Sequence, residues 1–169
     1  MSRSSLAPWL GIPVVLVAGC AGWDPTAEAP DGGTVEERVR APSAGSADEL
    51  QVFGVRNQAV VALGRQAKEA EASGDLERAE MLLERALRID GRDPQVLQQM
   101  AEVQLARGHL DQAGSFASRA FELGPQVGEI CERSLRTLIV VHERSQQSER
   151  ARRTRERLDS CRVAPPERF

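Results

Sequence analysis

Between residues 76 and 89 the apolar positions recur at the spacing of one helical face: Leu76, Ala79, Leu82, Leu83, Ala86 and Ile89. Glu77, Glu80 and Glu84 fall on the opposite face, where they alternate with arginines. Carboxylates and guanidiniums at that spacing make a solvated, salt-bridged surface. The pattern predicts an amphipathic helix with an apolar stripe that one partner helix cannot cover, so a further neighbour must stack on it. Ser46-Ala-Asp-Glu49 has the spacing of a capping box, and from there to about residue 161 the chain reads helical, with no strand. Breakers fall at Gly74, Gly91 to Pro94, Gly108, and Gly124 to Gly128, leaving segments of ordinary helix length between them. The expected fold class is all-α.

Two flanking regions depart from this pattern. Leu6 to Val17 is the one sustained apolar run, interrupted by Pro8, Gly11 and Pro13. It is shorter than the roughly 20 residues a spanning helix needs. Arg3 precedes it and the small residues Ala18, Gly19 and Cys20 follow, the order of a secretory signal. From about 20 to 46 the chain is rich in Pro, Gly, Ala and acidic residues, with few large apolar side chains to offset ordering entropy. That stretch is expected to be a flexible tether, and 162–169 a disordered tail.

The helical region repeats itself. GDLERAEMLLERALRIDGRDP (74–94) aligns with GHLDQAGSFASRAFELGP (108–125) at one constant offset of 34: Gly74 with Gly108, Leu76 with Leu110, Ala79 with Ala113, Ala86 with Ala120 and Ile89 with Leu123. In period and in these residues the segment resembles the tetratricopeptide repeats. Leu63 and Leu97 supply the large residue that family prefers early in its first helix. Gln66-Ala67 and Met100-Ala101 stand where it prefers Leu-Gly, and Ala70 and Gln104 replace a frequent aromatic. The resemblance implies a short solenoid of antiparallel helix hairpins over 47–161, with repeats at about 60–93 and 94–127 and a degenerate third at 129–161. That third hairpin turns at Ser145 to Ser148, its register has slipped by about four residues, and Arg155 stands where an apolar residue is expected. The resemblance also implies a concave groove that receives a peptide or helix of a protein partner. Its lining, carried over position by position, is Val61, Gly64, Lys68 and Glu71 from one repeat and Gln95, Gln98, Glu102 and Leu105 from the next. An open end of so short an array could also be covered by self-association.

Val17-Ala18-Gly19-Cys20 resembles the bacterial lipobox, with Val17 where Leu is commonest. That resemblance implies a signal peptide at 1–19, lipidation of Cys20, and a lipid anchor to the envelope. Ala21 in place of Asp implies the outer membrane, with the domain facing the periplasm. An ordinary cleaved signal that happens to contain a cysteine, or an uncleaved anchor, is the alternative. Outside the cytoplasm thiols tend to be oxidised. Cys131 and Cys161 lie at the two ends of the third hairpin, which an antiparallel arrangement makes neighbours. A Cys131–Cys161 disulfide is therefore expected, the alternative being two buried thiols.

Composition narrows the function. A net charge of −3 gives no general attraction to nucleic acid, and 4% aromatics with no Tyr leave little to stack on bases. The run from Ser148 to Arg157 is locally basic, as a soluble end helix or as a contact for anionic partners. His142 begins a near miss to the His-Glu-x-x-His zinc motif, because Gln146 occupies the second ligand position, and His109 falls in an inter-helix turn. No nucleophile elbow or phosphate loop is present, so neither a metal nor another cofactor is expected. The sequence reads best as a non-catalytic, membrane-tethered adaptor for a protein partner in envelope assembly (pilus, peptidoglycan or secretion complexes). The alternatives are an envelope enzyme or ligand binder with an unrecognised pocket, and a purely structural lipoprotein.

Overall fold

The computed structural model describes residues 34–41 and 56–162. The signal segment, Cys20, the Ser46–Glu49 capping box and the tail from 163 lie outside the described residues. Seven α-helices are present among those described: α1 Val35–Arg40, α2 Gln58–Ala72, α3 Leu76–Ile89, α4 Pro94–Ala106, α5 Leu110–Leu123, α6 Gly128–Arg144 and α7 Ser148–Leu158. A short 3-10 turn, Asp159–Cys161, ends the described chain. Helices α2/α3, α4/α5 and α6/α7 pair as antiparallel hairpins, and each hairpin stacks on the next. None of these helices is long and apolar enough to cross a membrane.

One turn geometry makes all three hairpins. Gly74 and Gly108 both take φ +79°, the left-handed conformation that closes a helix without Cβ strain. At the first turn the Gly74 amide donates to the Glu71 carbonyl and the Asp75 amide to that of Ala70. Gly108 with Leu105, and His109 with Gln104, repeat the pattern. The third turn makes the same two bonds, Gln146 to Glu143 and Gln147 to His142, but puts Gln146 at φ 58°. The interval between turns is therefore 34 residues and then 38. The extra four lie in α6, which has 17 residues against 13 in α4. Four residues are about one helical turn, so the lengthened helix still presents the same face.

The periodic small residues sit where the helices cross. Ala79, Ala86, Ala113 and Ala120 are all fully buried, and their size lets paired backbones approach. Leu82, Leu83, Val60, Val96, Met100 and Val103 build the main core between α2, α3 and α4. Ile89, placed by periodicity on the apolar face, is 49% exposed at the C-terminal end of α3. The third hairpin has its own small core of Leu135, Leu138, Phe121 and Leu158 around Cys131 and Cys161. The two sulfurs are bonded, with Cα atoms 5.5 Å apart. Arg155, the residue out of pattern, reaches across to Glu143.

The expected tether needs one correction. Its residues 35–40 form α1, which docks against α6 and α4. The Thr34 hydroxyl accepts from the Glu37 amide at 3.2 Å while the Glu37 carboxylate accepts from the Thr34 amide at 2.8 Å, a complete capping box. Glu36 and Glu37 lie in the first turn, and Arg38 and Arg40 in the last, each matched to the helix dipole. Six residues are too few to hold a helix in water alone. Docking supplies the rest: Val39 is 2% exposed among Leu105, Ala113, Val140 and Val141.

Candidate functional site: a charged cleft on the concave face

The first helices of the three hairpins, α2, α4 and α6, share one face of the array. A cleft of about 570 Å³ opens there, lined by Lys68 and Glu71 of α2, Gln99 and Glu102 of α4, and Glu129 and Arg133 of α6, with Glu36 and Arg40 of α1 at one end. A second hollow of about 360 Å³ continues along the same face past Arg56, Val61, Gly64, Arg65 and Gln95.

Glu102 is the electrostatic centre of the cleft. Its side chain is 4% exposed and accepts from four nitrogens of three residues. Arg133 donates from Nε at 3.0 Å and from Nη2 at 2.6 Å and 2.8 Å, Arg40 Nε donates at 3.1 Å, and Gln98 Nε2 at 2.9 Å. Arg133 also pairs with Glu129 at 3.0 Å, and Arg40 with Glu71. Burial pulls the Arg133 guanidinium toward the neutral form, but Glu102 and then Glu129 outweigh it and raise its pKa above the ordinary value. Arg40 behaves alike, burial being overcome by Glu102 and Glu71. Burial raises the Glu71 carboxyl, and Arg40 only partly offsets this.

Helix α4 explains why such a network lies in the array's middle. Every residue from Val96 to Leu105 is buried, because α4 alone has helices on all sides. Its polar side chains are bonded within that environment, the buried Gln98 Oε1 excepted. Gln98 donates to Thr137 of α6 at 2.9 Å, Gln99 to the Gly64 carbonyl of α2 at 2.9 Å, and Gln104 to Glu80 of α3 at 2.7 Å.

The groove residues expected from the sequence therefore divide. Val61 and Lys68 are exposed, Glu71 and Gln95 half-buried, and Gly64 and Glu102 are buried but line the open face. Gln98 and Leu105 do not line the open cleft: Gln98 is covered by α6 through Thr137, and Leu105 by Val39 of α1. Sequence reasoning missed Gln99, Glu129, Arg133 and Arg40. The charge alternation Glu129-x-x-x-Arg133 at helical spacing was the available signal for two of them. His109 bonds Gln104 through Nδ1 at 2.8 Å in the turn before α5. His142 is half-buried on α6, where burial and then Arg150 lower its pKa.

Stacked helix pairs with Gly-closed turns, buried alanines at the crossings and a concave face made by the first helices define a helical-repeat binding scaffold. The chain belongs to the tetratricopeptide-repeat family, whose profile matches residues 70–129. It is similar to the solved globular C-terminal domain of LpoP from P. aeruginosa, at 30% identity and a TM-score of 0.58. That similarity covers 62% of this chain and 99% of the LpoP domain. No curated protein matches the sequence.

Proposed function

We propose that this protein is a non-catalytic adaptor of the bacterial cell envelope, tethered to a membrane through lipidated Cys20, that holds a protein partner in its concave cleft. The observation that carries this reading is the cleft itself: a face with charged and apolar side chains contributed by three consecutive hairpins, on a scaffold whose family and fold are those of interaction domains. The acidic and basic side chains at its centre, Glu102, Arg133, Arg40 and Glu71, pair with one another. Such a network can recognise a partner by charge and hydrogen bonding, but supplies no poised acid, base or nucleophile. The similarity to the LpoP domain supports an envelope role, and the lipobox-like Val17–Cys20 supports the anchor. Assembly machineries of the pilus, of peptidoglycan or of secretion are the settings such a tethered adaptor suits, and the outer membrane, periplasmic face, is the expected address.

Two measurements test this. Cys20→Ser is expected to move the protein from the membrane fraction to the soluble periplasmic fraction after a high-salt wash, and retention on membranes refutes the anchor. A photocrosslinker at Lys68, exposed on the cleft rim, is expected to capture a defined envelope protein in cells. Failure of Lys68 and Val61 crosslinkers to capture any protein refutes the adaptor reading.

A further inference from the structure

Helix α1 closes one end of the cleft. Helix α1 comes from outside the repeat array, yet it seats on the concave side and touches groove surfaces of all three hairpins. Val39 fills a notch made by Leu105 of α4 and Val140 and Val141 of α6, with Val35 packed beside it. Arg38 donates to Glu143 of α6 at 2.8 Å. Arg40 joins Glu71 of α2 to Glu102 of α4. Arg136 of α6 donates to the Ala41 carbonyl and ends the segment. Leu105, a groove position by family register, is 3% exposed because Val39 covers it.

We propose that this notch is the docking surface for an amphipathic, arginine-bearing helix of the protein partner, and that α1 is its built-in occupant, displaced when the partner binds. The proposal rests on the adaptor reading and names the partner's chemistry. The occupant shows what the notch accepts: two β-branched side chains four residues apart, as Val35 and Val39, flanked by arginines at the positions of Arg38 and Arg40. The receiving surface offers an apolar floor beside the carboxylates Glu71, Glu102 and Glu143, of which Glu102 is shared with Arg133 and Glu143 with Arg155. A six-residue helix held by one fully buried side chain and two arginines is a competitor a longer partner helix can replace.

The probe is a synthetic peptide with the sequence of residues 33–42, titrated into the full chain in detergent micelles and followed by NMR at the methyls of Leu105, Val140 and Val141. Two variants evict α1 independently: Val39→Asp, and Arg38→Glu combined with Arg40→Glu. Both variants are expected to bind the peptide about tenfold or more tightly than wild type, whose own segment competes at millimolar effective concentration. A peptide with both arginines changed to glutamate is expected not to bind. Equal binding to wild type and variants, or no binding to variants with wild-type circular dichroism, overturns the proposal. In cells, the Lys68 crosslinker separates the two readings. Capture raised severalfold by eviction supports both. Capture unchanged by eviction overturns displacement and leaves the adaptor reading intact. Capture in no background overturns the adaptor reading and the partner assigned here.

Discussion

Removing Glu102 should be the most damaging single substitution on the concave face. Glu102→Ala deletes the shared acceptor of Arg133, Arg40 and Gln98, three side chains from three helices. Arg133 is only 14% exposed, and Gln98, fully buried, already has an amide oxygen without a partner. Breaking a buried ion pair from one side costs about 3–5 kcal/mol, because the remaining charge stays desolvated. Here Arg133 keeps Glu129 and Arg40 keeps Glu71, so the lower end, about 3 kcal/mol, is expected. For a domain of this size that corresponds to a fall in melting temperature of about 10 °C. Arg133→Ala should cost less, about 2 kcal/mol, since Glu102 retains Arg40. The double variant should lose about 1–2 kcal/mol less than the sum of the two, the signature of a direct interaction. Urea unfolding followed by far-ultraviolet circular dichroism measures all three. A Glu102→Ala loss below about 1 kcal/mol, or strict additivity, would mean the pair is solvated and would refute the description of the cleft floor.

Three further outcomes follow from single features. Replacing Cys131 and Cys161 together by serine should lower stability by about 3–4 kcal/mol in the chain-entropy model for a separation of 30 residues, read as a lower urea midpoint; an unchanged midpoint refutes the staple. Gln146→Gly should stabilise the chain by about 0.5–1 kcal/mol, because Gln146 holds at φ 58° the place that glycine fills in the other two turns; a loss in the melting experiment refutes this. Glu71 has a folded pKa raised above the ordinary 4.5, so its contribution to stability is full below that value and is lost as pH rises through the folded one. Glu71→Gln should therefore gain on wild type in unfolding midpoint as pH rises above about 4.5, and a difference independent of pH refutes the burial of that carboxyl.

The parts of this fold written in local chemistry were readable from sequence. The offset of 34 between Gly74 and Gly108 appears as identical turns, and the paired alanines as buried helix crossings. The four-residue slip of the third repeat is one added turn of α6. Helix α1 was hidden because its surroundings are rich in Pro and Gly. Its own signal, Thr34 to Glu37 with valines four apart, spans too few residues to outweigh that average. The availability of groove positions was hidden for a different reason. Register says which way Gln98 and Leu105 point, but whether Thr137 or Val39 lies on top of them is a property of other helices.

That distinction bears on what the polar residues of α4 accomplish. Alanine crossings and apolar stripes repeat at 34 residues, so on apolar packing alone one hairpin fits its neighbours in more than one order or register. The polar groups remove that freedom, because each has its partner on a different element: Gln99 on α2, Gln104 on α3, Gln98 on α6, and Glu102 on both α1 and α6. A slipped stack would leave these groups buried without partners, at about 1–3 kcal/mol each. Three wrong placements therefore match much of the stability of a small domain. Glu102 has the further property that one of its partners, Arg40, belongs to a segment held by little else than Val39 and two arginines. The carboxylate that fixes the order of the array is thus also the one whose surroundings change when α1 leaves, and this joins the architecture of the repeats to the occupancy of the cleft.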